Sequence, residues 1–165
     1  MATTVELSTR IDAPVETVIR HLMTPCLLDY IASPLVSFKY RSGFDRAADW
    51  TVGEHRADIR LFGVIPIGWQ VIGIELPDSP DAHTTLLRDN GYSPLIKRWD
   101  HWIVVRPHPE GEGTLYTDRV HIEAGLLTPI VAAYARYFYA HRQARWRELA
   151  EKDFAPLESG AGTGL

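Results

Sequence analysis

From Thr3 to Ile11 polar and apolar side chains alternate, the period of a half-buried strand. The period then changes. In "DAPVETVIRHL" Val15, Val18, Ile19 and Leu22 recur at helical spacing, with Pro14 suited to a first turn and Asp12 or Ala13 near the cap. Pro25 opens a second short helix, "PCLLDYIA", and Pro34 closes it, because a residue before proline avoids helical geometry. Between Leu35 and Glu123 no helical period survives. Six strand-like runs follow, "LVSFKYR", "EHRADIRLF", "GWQVIGIEL", "AHTTLLRD", "RWDHWIVVR" and "TLYTDRVHIE", separated by turn-forming segments such as "LPDSPD" and "PHPEGEG". Consecutive strands on short connections predict an antiparallel meander, curved around whatever it buries.

A long helix over about Thr128 to Asp153 is the element predicted to fill that curve, with Thr128 as N-cap and Pro129 at the first helical position. Its inward stripe is read as Ile130, Tyr134, Tyr137, Phe138, His141, Ala144, Arg145 and Glu148, with Arg136, Gln143 and Arg147 opposite. The glycine-rich end "APLESGAGTGL" is expected to be a disordered tail over residues 155–165, which leaves a single domain over residues 2–154.

Composition narrows the function classes. With 165 residues, 45% hydrophobic and 23% charged, the chain can bury one proper core. Its net charge of -4, from 17 Lys and Arg against 21 Asp and Glu, provides no overall basic surface for nucleic acid or anionic lipid. No apolar run approaches the roughly 20 residues of a membrane span, and "MATTVELSTR" lacks the pattern of a signal peptide, so stable membrane insertion is not expected and the expected location is the cytoplasm. Cys26 is the only cysteine, which excludes an intramolecular disulfide and argues against a thiolate zinc cluster. No phosphate loop or nucleophile elbow is present, and no cofactor is expected.

The order strand, two helices, six meander strands, long helix resembles the helix-grip fold of the START/Bet v 1-like (SRPBCC) superfamily, in particular its polyketide cyclase/dehydrase and lipid-transport group. "IDAPVETVIRHL" resembles that group's opening strand-to-helix signature, and "LFGVIPIGW" its third-to-fourth strand connection. "YSPLIKRWDH" is similar to its sixth strand, and "GTLYTDRVHIEAGLLTP" to its seventh strand leading into the last helix. The resemblance spans about Thr3 to Phe154. It implies an α+β fold, a curved seven-stranded antiparallel sheet around the C-terminal helix, with a cavity between them for a hydrophobic ligand such as a lipid, a polyketide or an isoprenoid-like compound. Where related chains often carry H-x-H-x-F on the sixth strand, this one has His101 followed by Ile103.

Alternation places Trp99, His101, Ile103 and Val105 on one face of the sixth strand, and Tyr116, Asp118, Val120 and Ile122 on one face of the seventh. With His101 directly across from Asp118 the two would form a buried dyad, a carboxylate fixing the tautomer of an imidazole. The expected ligand-binding set is Trp99, His101, Ile103, Tyr116, Asp118, Tyr134, Tyr137, Phe138 and His141, broad apolar walls with a few polar tips. Binding or transport is the first expectation. A cyclase or dehydratase using His101 and Asp118 as an acid–base pair is the enzymatic alternative, and a protein-interaction domain without ligand is the third. No metal site is expected, since only His101, Asp118 and His141 could converge, and self-association as a homodimer stays open.

Overall fold

A computed structural model describes residues 2–41, 45–46 and 48–160. The strands are β1 (Thr3–Ile11), β2 (Val36–Tyr40), β3 (Gly53–Leu61), β4 (Ile65–Glu75), β5 (Thr85–Gly91), β6 (Arg98–Pro107) and β7 (Thr114–Glu123). The helices are α1 (Val15–Leu22), α2 (Pro25–Ala32), α3 (Thr128–Glu151) and α4 (Ala155–Gly160). All seven strands form one antiparallel sheet in the order β1-β7-β6-β5-β4-β3-β2, so β1 crosses to the far edge and the other six follow as a meander.

The sheet turns one face toward α1, α2 and α3. Its centre contributes Ile72, Ile74, Leu87, Ile103, Val105 and Tyr116 to a core shared with Val18 and Leu22 of α1, Leu27 and Ile31 of α2, and Trp146 and Leu149 of α3. At the first half of α3, Ala132 and Ala135 meet Val5, Trp99, Val120 and Ile122; these small side chains let the helix lie close against the sheet. On the opposite face of the sheet, Asp100 is held between Arg88 and Arg98, at 2.8 and 2.6 Å.

Two expectations need correction. Residues 155–160 are not a disordered tail: after α3 the backbone reverses through Asp153 and Phe154, both at positive φ, and α4 follows. The reason is apolar anchoring, since Phe154 stacks on His21 with centroids 4.5 Å apart and Leu157 is buried in the core. Residues 161–165 lie outside the described residues. The second correction is to the face of α3. Phe138 of the expected stripe is buried, but the other buried residues include Ala132, Ala135, Tyr139, Arg142, Gln143, Trp146 and Leu149, whereas Ile130 and Tyr137 are 69% and 61% exposed and Ala144 is exposed. The helix is rotated from the expected stripe because it presents small residues where it touches the sheet and polar ones where it meets buried polar partners.

Candidate functional site

The inner faces of β6 and β7 carry the polar core. The strands pair as Trp99 with Ile122, His101 with Val120, Ile103 with Asp118, and Val105 with Tyr116. His101 therefore stands opposite Val120, not Asp118. Diagonal neighbours on one face of an antiparallel pair remain within reach of longer side chains, and His101 Nε2 lies 2.8 Å from Asp118 Oδ1. The Tyr116 hydroxyl donates to the same oxygen at 3.2 Å, and Gln143 Nε2 donates to Asp118 Oδ2 and to the Leu7 carbonyl, both at 2.9 Å. The Asp118 carboxylate and the Gln143 amide together thus tie β1, β6 and β7 to α3. Gln143, expected on the solvent side, is one of the carboxylate's donors.

Both partners are buried, His101 at 2% and Asp118 at 1% exposure. Burial pushes the imidazole below its ordinary pKa, only partly opposed by the carboxylate beside it. Burial would push Asp118 up, but the His101 hydrogen bond, the Arg142 charge and the Gln143 amide together hold it below the usual carboxylate range. The consequence is a neutral imidazole whose Nε2–H donates to an ionised carboxylate, leaving Nδ1 as the ring's acceptor.

Between the sheet and α3 lies a cavity of about 370 Å3. Its walls are apolar, from Leu28 of α2, Val36, Phe38, Ile59, Leu61, Ile67 and Ile72 of the sheet, Ile96 and Trp99, and Ile130, Val131, Tyr134, Phe138 and Tyr139 of α3. Ile67, Ile130 and Tyr134 are also exposed, so they form the rim at the mouth. Three polar side chains line it as well: Gln70, Asp89 and Arg142. Leu28, Ile72, Asp89 and Arg142 also border a second, smaller space of about 40 Å3, and they form the boundary between the two. His101 and Ile103 line only this inner space, which has room for about one water.

Asp89 and Arg142 are the charged groups of the boundary. The Arg142 guanidinium carbon lies 5.1 Å from the Tyr139 ring centroid and 5.7 Å from that of Phe138. Its Nε is buried with no hydrogen-bond partner. Asp89 accepts the Gly73 N–H at 2.8 Å; burial pushes its carboxyl up to about 7, against the pull of that bond and of the Arg142 charge. The bond fills a thin place in the sheet, where β4 and β5 pair only as Ile74 with Asp89 and Glu75 with Arg88, plus a bridge between Val71 and Tyr92. Gly73 and Gly91 are required here: a Cβ on either would lie 2.6 Å from a backbone oxygen of the facing strand.

Of the expected ligand-binding residues, the structure brings Trp99, Tyr134 and Phe138 to the larger cavity and His101 and Ile103 to the inner space. Tyr116 and Asp118 line neither; Tyr116 packs on Trp146, with centroids 5.3 Å apart, and Asp118 stands behind His101. Tyr137 points to solvent, and His141 Nε2 lies 2.8 Å from the Ser33 carbonyl oxygen, so both are corrected out of the cavity. Asp89 and Arg142 were missed, although both left a trace. Asp89 shares a strand face with buried Leu87, two residues before it, and Arg142 falls one turn beyond Phe138 and Tyr139. Among the described residues no group of three or more His, Cys, Asp or Glu side chains is placed to hold a metal ion. Among the same residues no helix is long and apolar enough to cross a membrane.

A curved antiparallel sheet gripping a long C-terminal helix over an apolar cavity is the helix-grip, START/Bet v 1-like fold. Solved structures with the same arrangement include a START superfamily protein from Mycobacterium smegmatis, 14% identical, with a TM-score of 0.59 over 90% of this chain and 97% of that one. Ara h 8.0201 is similar at a TM-score of 0.62 and 9% identity, over 92% and 99% of the two chains. A conserved protein from Geobacillus kaustophilus is similar at 0.59 and 17% identity, over 91% and 96%. The chain belongs to the family described as Domain of unknown function (DUF8410), whose profile it matches over residues 9–150. No curated protein matches it.

Proposed function

We propose that this protein binds a hydrophobic or amphipathic small molecule in the 370 Å3 cavity and acts as its carrier or sensor. The observation that carries this reading is the combination of apolar walls with a mouth edged by exposed Ile67, Ile130 and Tyr134. A volume of that size lies within the range of small-molecule pockets, where apolar walls supply affinity and a few polar groups fix orientation. In this reading His101 and Asp118 brace the wall, and the polar end offered to a ligand is the pair Arg142 and Asp89.

Native mass spectrometry of gently purified protein tests it first, with a retained small molecule as the expected result. Titration with the neutral fluorophore N-phenyl-1-naphthylamine tests it independently of the natural ligand. Emission should rise on binding to the native protein and fail to rise with Val131→Trp, which fills the wall. Unchanged probe binding in the filled variant, or none in the native protein, refutes the cavity as the binding site.

A further inference from the structure

We infer that the molecule taken by this cavity is a monocarboxylic acid, its apolar body against the walls and its carboxylate accepting hydrogen bonds from Arg142; this rests on the binding reading above. A guanidinium stays charged in proteins and carries five N–H donors. Arg142 is 5% exposed, yet among the described residues it has neither a hydrogen-bond acceptor nor an ion-pair partner within 4.0 Å. Two aromatic faces and the more distant charges of Asp118 and Asp89 compensate its charge, but they satisfy none of its donors. Neither carboxylate lies within hydrogen-bond or ion-pair distance of the guanidinium. Both Asp118 oxygens are engaged by His101, Tyr116 and Gln143, and Asp89 holds the Gly73 amide. A buried cation so placed needs an acceptor from the space it borders.

The chemistry of that acceptor follows from the surroundings. With the ionised Asp118 carboxylate already near this single guanidinium, a monoanionic acid adds the least negative charge an anionic ligand can, and a dianionic phosphate adds twice as much. The planar fork of arginine matches a carboxylate, with two parallel N–H···O bonds. Beyond Arg142 only the 40 Å3 space remains, so the acid group must end the ligand rather than sit midway along it. The long apolar wall from Ile130 to Phe38 then takes the hydrocarbon part.

Displacement of bound N-phenyl-1-naphthylamine by decanoate and by decan-1-ol separates the acid group from the apolar body. In the native protein decanoate should displace the probe at a concentration at least tenfold lower than decan-1-ol does, about 1.4 kcal/mol of preference. In Arg142→Met, with each displacement referred to that variant's own probe affinity, the two should come within threefold of each other. Arg142→Lys, which keeps the charge and loses the fork, should fall between. Equal displacement by acid and alcohol in the native protein, or an acid preference that survives Arg142→Met, overturns the headgroup assignment while leaving the cavity reading intact. Failure of the neutral probe to bind the native protein overturns both.

Discussion

Deleting the Asp118 carboxylate would test how tightly the polar core is coupled. In Asp118→Ala, His101 Nε2–H, the Tyr116 hydroxyl and one Gln143 N–H lose their acceptor, while the other Gln143 N–H keeps the Leu7 carbonyl. Three orphaned buried donors at about 1–3 kcal/mol each, in a site that can relax around the smaller side chain, imply a loss of about 3–6 kcal/mol. That is a large part of the roughly 5–15 kcal/mol by which a domain of this size is stable. His101→Ala should cost about 2–4 kcal/mol, because Asp118 loses its main partner yet keeps Tyr116 and Gln143. The double variant no longer leaves either group facing a vacancy on account of the other, so its loss should fall short of the sum of the single losses by about 1–2 kcal/mol. Urea unfolding followed by the fluorescence of the five tryptophans measures all four proteins, and equal m-values show that only stability has changed. Single losses that add to the double within about 0.5 kcal/mol would refute the coupling, and with it the reading of this network as the brace between sheet and helix.

Asp89 should make stability depend on pH. Its folded pKa of about 7 lies above the ordinary 3.8, so between those values the folded protein keeps a proton that the unfolded chain has released, and its stability falls as pH rises through that window. Asp89→Asn keeps an acceptor for Gly73 and escapes this loss. Its stability relative to the native protein should therefore climb by about 1–3 kcal/mol between pH 4 and pH 8, and an unchanging difference in urea unfolding across that range would refute the assignment. For α4, Phe154→Ala should cost about 3–5 kcal/mol, since the ring packs on His21 and Trp146, and thermal unfolding showing no change would mean that this segment is not anchored.

The strands, the long helix and the grip of one on the other were legible because each rests on a local signal: alternation, helical spacing, or proline at a helix start. The inner faces of β6 and β7 were legible for the same reason, and the contact of His101 with Asp118 survived a register displaced by two residues because it runs diagonally along one face. The face of α3 was not. Hydrophobic spacing assumes that large apolar side chains point to the core, but this helix covers a cavity. Its closest contacts are made by Ala132 and Ala135, its deepest polar ones by Arg142 and Gln143, and its large apolar Ile130, Tyr134 and Tyr137 reach the rim or solvent. The tail misled through composition. Its glycines lie at and beyond the end of α4, whereas Phe154 and Leu157, two anchors among small residues, decide the outcome.

The residues around the cavity differ in how freely they could be exchanged. Gly73 and Gly91 are barred from carrying a side chain by facing backbone, and Trp99 and Tyr139 are buried and joined by a 3.1 Å hydrogen bond, so change there would damage the fold. Ile67, Ile130 and Tyr134 are half in solvent already and shape the entrance without holding the sheet to the helix. Chains that share this backbone therefore have room to diverge in what they admit while keeping the same interior. A library randomised at these three positions alone should yield mostly folded proteins that sort ligands by width and branching.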